Sequence, residues 1–157
     1  MYNTLLLLSR NIFFYKNLNF PDNFESRIYL MFMHFSIILI IFKQRSIKFK
    51  QNNYDSLFHS IENNLRELGF GDVSVNKKMK DFNKLFYDIL LKINKKKDGN
   101  FEIDEKTIFK YFDKDKLLNN SNLTLLKDYF SNFYDFCFEL SPDNMVREAG
   151  NFNYGST

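Results

Sequence analysis

The sequence predicts an all-α protein: a single-domain bundle of five to six helices with a basic helical hairpin around residues 52–94. Three observations carry that expectation. Apolar residues recur at steps of three and four along most of the chain, which is the period of a helix face and not the alternation of a strand. Five glycines and two prolines in 157 residues are too few for the many tight turns of a sheet protein. A composition 45% hydrophobic and 26% charged belongs to a chain that folds around a core, and a chain of this size buries roughly 68–70% of its unfolded surface.

The first helix is expected over about residues 4–16, ending before NLNFPDN, where Pro21 and its Asn and Asp neighbours signal a turn. A long second helix runs from about Phe24 to near Phe49. Its centre, IYLMFMHFSIILIIF at Ile28–Phe42, is 15 residues long and interrupted by His34 and Ser36. A membrane span needs about 20 apolar residues, so this run is expected as a core helix buried on nearly all sides. His34 is expected there as a hydrogen-bonded core residue.

Tyr54, Leu57, Phe58, Ile61, Leu65 and Leu68 mark the third helix, and Val75, Met79, Phe82, Phe86, Ile89 and Ile93 the fourth. A loop around residues 95–100 leads to a short helix near 104–118. The last helix is expected to begin at Ser121 as N-cap, with Leu123, Leu126, Phe130, Phe133, Cys137 and Leu140 on its buried stripe. The domain is therefore drawn over residues 1–140, and residues 141–157 are expected as a polar, flexible tail.

Two glycines stand two positions apart in NNLRELGFGDVSVNKKMKDF, residues 63–82. Gly69 falls where a helix ends in the left-handed conformation, with Phe70 folding back on the last turn. Gly71 and Asp72 turn the chain, and Ser74 is expected to cap the fourth helix, giving an antiparallel hairpin. A phosphate loop is excluded: it needs a preceding strand and a longer glycine pattern. NKKKDGNFEIDE at residues 94–105 imitates a calcium loop around Gly99, but Lys96 stands where an oxygen ligand is required. DKDK at 113–116 lacks the glycine altogether.

One cysteine, Cys137, excludes an internal disulfide and a thiolate zinc cage. His34 and His59 have no Glu or Cys at metal-ligand spacing, and no cofactor, metal or catalytic residue is expected. Charge is distributed unevenly. Residues 43–97 carry thirteen basic and six acidic groups, net +7, while residues 98–157 carry six and eleven, net −5. Lys77, Lys78, Lys80 and Lys84 decorate the fourth helix, Lys95–Lys97 follow it, and Arg66 lies across the joint. Such a flank is either a solvated helix face or a surface that attracts polyanions such as ribosomal RNA or anionic lipid headgroups. The aromatics lie on the apolar faces, which excludes base stacking, and no DNA partner is expected.

At these residues the chain resembles the ubiquinol–cytochrome c chaperone family. NNLRELGFGDVSVNKKMKDFNKLFY is similar to the family's N-L-R-E-M-G-V-G-D signature with its basic helix and F-Y-G-R. A second block, SRNIFFYKNLNFPDNFESRIYLMFMH, parallels its F-Y, P-D-T, G-R-F and L-H positions. The structural motif positions carried over are Tyr15, Pro21, Asp22, Arg27, His34, Met79, Phe86 and Tyr87, with Arg27 and Asp22 expected as an ion pair. Asn23, Ser26 and Asn76 depart from the usual Thr, Gly and Pro, and Asp88-Ile89 replace Gly-Arg after Tyr87.

The resemblance implies an assembly factor for the ubiquinol–cytochrome c reductase (complex III) and no enzyme, one that binds newly made cytochrome b. It also implies contact with the ribosome or a small helical partner protein. Client or partner contact is expected at Asn64, Arg66, Glu67, Gly69, Gly71, Asp72, Lys77, Lys78 and Lys80; for the glycines, backbone geometry alone is an equal alternative. With no transit or signal peptide read at the start, the expected location is cytoplasmic and peripheral at a bacterial inner membrane. A basic ribosome- or RNA-binding module and a haem-handling protein using His34 remain as alternatives.

Overall fold

The computed structural model describes residues 1–93, 96–97, 100–112 and 119–155, without the side chains of 96, 97 and 100. The fold is all-α, with eight α-helices among the described residues: α1 Tyr2–Ser9, α2 Ile12–Lys16, α3 Phe24–Gln44, α4 Gln51–Glu67, α5 Asp72–Ile93, α6 Glu105–Phe112, α7 Asn120–Glu139 and α8 Pro142–Glu148. A 3₁₀ turn, Ala149–Asn151, follows α8. Lys96–Lys97 pairs antiparallel with Asn100–Phe101 in a small ribbon between α5 and α6. Lys95 of the 95–97 lysine run, residues 94, 95, 98 and 99 of the calcium-like loop, and all of DKDK lie outside the described residues.

α3 is the axis of the bundle. α1, α5 and α7 pack along it, α4 lies against α5, and α6 and α8 also reach it. By length and composition α3 could cross a membrane, yet its apolar run is enclosed by the surrounding helices. Two aromatic layers flank it. Phe32 and Phe35 meet Tyr54, Phe58 and Phe86 of the α4–α5 hairpin. On another face, His34 meets Phe14 of α2 and Tyr129, Phe130 and Phe133 of α7.

Several helix limits differ from the sequence reading, each for a local reason. The expected 4–16 helix is broken after Ser9, because the Asn11 side chain accepts a hydrogen bond from Phe13 N at 3.0 Å and starts a new helix. α3 stops at Gln44 and not near Phe49. Ser46 takes φ +56°, its N–H bonds Lys43 O at 3.0 Å, and Ile47 N bonds Phe42 O at 2.9 Å. This is the paired closure of a helix end that glycine usually provides. Ser46→Gly is therefore expected to stabilise the protein by about 0.5–1 kcal/mol, read from the urea midpoint, by relieving the left-handed serine.

α7 is capped by Asn119, which accepts from Asn122 N at 2.8 Å, and not by Ser121. The expected Ser74 cap also lies inside a helix, since α5 begins at Asp72 and Val75 N already bonds Gly71 O at 2.9 Å. α6 ends at Phe112, and the rest of the expected 104–118 helix lies outside the described residues. The segment expected as a loose tail forms α8: Pro142 opens it, Ser141 O takes the N–H of Asn144 and Met145, and Met145 and Ala149 are buried.

Arg45 ties the far ends of α3 and α7 together. Its Nη1 donates to Leu140 O at 2.8 Å, its Nη2 donates to Phe138 O, and its guanidinium lies 4.9 Å from the Phe138 ring centre. A cation at the carbonyl end of a helix satisfies orphan acceptors and complements the dipole. Arg45→Ala should cost about 1–3 kcal/mol in urea unfolding.

Asp88, which departs from the resembling motif, joins α5 to α6. Its carboxylate accepts from Lys110 at 2.8 Å, from Lys92 at 3.1 Å and from the Tyr111 hydroxyl. Burial alone would raise its pKa, but Lys110 and Lys92 hold the carboxyl below the usual range. The adjoining Ile89 is fully buried, so the motif's arginine position has become core here.

Candidate functional site

The sequence forces a bend between α4 and α5, and the bend gathers the expected contact residues. Gly69 has φ +94°, its N–H bonds Arg66 O at 3.0 Å, and Phe70 N bonds Leu65 O at 3.2 Å. Those two reversed hydrogen bonds close α4, and only glycine adopts that φ without strain. The two helices then run antiparallel: Tyr54 meets Phe86 far from the bend, while Arg66 reaches Asp72 beside it.

The two glycines separate. Gly69 is fixed by its backbone, whereas Gly71 lacks a left-handed φ, and a side chain there would meet open space. Gly69→Ala is therefore expected to cost about 1 kcal/mol in urea unfolding, and Gly71→Ala to stay within about 0.5 kcal/mol of the parent. Equal losses at both positions would contradict this assignment.

The polar residues of the bend also divide. Arg66 forks between Glu62, at 3.0 Å, and Asp72, so all three brace the joint. Asn64 donates to the Tyr2 hydroxyl and links α4 to α1. Glu67 is exposed and lines a cleft against α1 and α3. Lys77, Lys80 and Lys84 follow at helical spacing on the outer face of α5, and among the described residues none has an ion pair. Asp81 is the exposed acid interspersed with them. Lys78 turns to the bend instead, with Nζ 4.8 Å from the Phe70 ring centre.

Sequence reasoning missed the apolar part of this surface. Leu68, counted on the buried stripe of α4, is 60% exposed, and Val73 is 85% exposed. Phe70, expected to fold back on α4, is 38% exposed under Lys78. One signal was available: Val73 and Val75 are two residues apart and cannot share a helix face, so one of them had to point outward. The joint thus presents Leu68, Phe70 and Val73 beside a row of exposed lysines.

The remaining motif positions are architectural. Tyr15 donates to Ser9 O at 2.6 Å across the α1–α2 break, and Arg27 meets Asp22 at 3.2 Å, the expected ion pair beside Pro21. Phe86 is core, Met79 half-buried and Tyr87 exposed. His34 is fully buried. Leu30 O lies 2.6 Å from Nδ1, and because a carbonyl only accepts, Nδ1 carries the proton. Nε2 then accepts the Tyr129 hydroxyl at 2.9 Å. Burial lowers the His34 pKa to about 4 and raises that of Tyr129, so both are neutral at pH 7. With Nδ1 protonated and the Nε2 lone pair taken by the Tyr129 hydroxyl, no ring nitrogen is open to haem iron or to a dyad with Cys137. Burial pushes that thiol up to about 12. His59 is exposed, and among the described residues no His, Cys, Asp and Glu cluster is disposed to hold a metal ion.

Among known families, the model described as Ubiquinol-cytochrome C chaperone matches residues 16–104 of the chain. The matched span holds α3, α4, the joint and α5 with all its lysines, and begins one residue after Tyr15. No curated protein and no solved structure matches the chain.

Proposed function

Because the chain belongs to the ubiquinol–cytochrome c chaperone family, we propose that it binds newly made cytochrome b and shields it until complex III assembles. Membership by itself gives the coarser role, a chaperone whose partner is related to complex III. The finer reading rests on one observation: the joint displays Leu68, Phe70 and Val73 next to Lys77, Lys80 and Lys84, inside the matched span. A polytopic client must have its apolar helices covered before insertion and cofactor loading. An exposed apolar corner suits such a segment, and an adjacent positive flank suits acidic client loops.

In this account Gly71 matters because it leaves the backbone of the bend bare for a partner to approach. Gly69, Asn64, Arg66 and Asp72 hold the bend in shape, and Glu67 borders it. The protein acts peripherally at the membrane that carries the client. The ribosome and a small helical partner remain candidate neighbours through the same lysines. Deleting the gene tests the reading: cytochrome b and assembled complex III should fall together, and unchanged levels of both would refute it. Contact with ribosomal RNA predicts affinity that drops steeply with salt, and a flat salt response would remove that neighbour.

A further inference from the structure

Two clefts meet at a pair of arginines on the opposite side of α1 from the 3₁₀ turn. The inner cleft, about 180 Å³, lies between α1, the start of α3 and the end of α4. Leu6, Phe24, Ile28, Met31 and Leu68 form its apolar wall. The outer cleft, about 460 Å³, is bounded by Ile12, Tyr15, Lys16 and Asp22. Arg10 and Arg27 line both. Arg10 and Lys16 are exposed and meet no carboxylate among the described residues, and the buried Nε–H of Arg27 has no acceptor. Arg27 spends one other nitrogen on Asp22, at 3.2 Å.

We infer that this double cleft binds the phosphate of an anionic phospholipid, with Arg10, Lys16 and Arg27 around the phosphate and the first part of an acyl chain along the inner apolar wall. Guanidinium forks match phosphate oxygens, and Arg27 spends only part of its donor set on Asp22. The mouths of both clefts carry exposed aliphatic side chains, Ile12 at 60% and Leu68 at 60%, as an interfacial contact requires. Two acids border the site. Asp22 is held by Arg27, and Glu67 is exposed and free to turn to water. The inference deepens the membrane-surface part of the proposed function; the cleft borders the joint at Leu68, and the α5 lysines are left for the client.

The test is flotation of the full chain with vesicles of phosphatidylcholine containing one third phosphatidylglycerol. Arg10→Gln with Lys16→Gln should lower partitioning about tenfold or more while the melting temperature is kept. Lys80→Gln with Lys84→Gln, which removes the same charge from α5, should change it less than twofold. Short-chain phosphatidylglycerol should displace the protein, and glycerol phosphate should not. Equal losses from both charge pairs would reduce the site to general attraction and overturn the inference, as would no loss from the Arg10–Lys16 pair. Equal competition by glycerol phosphate would also overturn it, making the occupant a free phosphate. Because flotation contains no client, its failure leaves the cytochrome b reading standing, and loss of that reading in the deletion strain leaves flotation intact.

Discussion

Replacing His34 by alanine is expected to destabilise the protein by about 3–5 kcal/mol, a large share of the roughly 5–15 kcal/mol that holds an ordinary domain folded. The substitution empties a site packed by Phe14, Tyr129, Phe130 and Phe133, and it leaves the Tyr129 hydroxyl without its acceptor, whereas the Leu30 carbonyl keeps its helical bond. The same residue sets an acid limb. In the unfolded chain its pKa is the ordinary 6.5, and burial lowers it to about 4 in the fold. Below 6.5 the unfolded state takes a proton that the folded state refuses, so stability falls as pH drops through that window. By pH 4 the loss from this group is about 3 kcal/mol. Asp88, also held low, loses its contribution further into acid. Urea midpoints of His34→Phe and the parent between pH 7 and 4 separate the two, since only the parent retains the histidine limb. Parallel profiles would contradict the neutral, buried assignment.

The second large effect is on function. Lys77→Glu, Lys80→Glu and Lys84→Glu together turn three exposed positive charges into three negative ones and break no ion pair among the described residues. Stability should stay within about 1 kcal/mol of the parent, because exposed charges contribute little to folding. Cytochrome b and complex III, followed in a strain carrying the variant as its sole copy, should fall toward the deletion level. Normal complex III with this folded variant would remove the α5 flank from the account.

Much of the architecture was legible because a helix face leaves a long periodic trace. The stripes from Leu57 to Leu65 and from Val75 to Ile93 predict α4 and α5, and the enclosure of α3 follows from a run apolar on every side. What escaped was set by single side chains or by three-dimensional placement. Asn11 and Asn119 outcompete their neighbours as caps by geometry that spacing does not reveal. α8 is seven residues with a single buried apolar residue, Met145, too short for a period to show. Leu68 keeps the stripe's register, but it sits on the last turn, where the hairpin opens and nothing covers it.

The candidate site was half legible. Glycine spacing and lysine density located the bend and its flank. Only coordinates show that Arg66 and Asp72 occupy each other, that Asn64 belongs to Tyr2, and that the exposed chemistry lies at Leu68, Phe70, Val73, Gly71 and the outer lysines.

The most direct measurement of the central claim places a photoreactive amino acid at Val73, on the joint, and in a second strain at Asn132, on the exposed face of α7. Irradiation during cytochrome b synthesis should join cytochrome b to the Val73 protein and leave the Asn132 protein free. Equal capture at both positions, or capture at Asn132 alone, would contradict it.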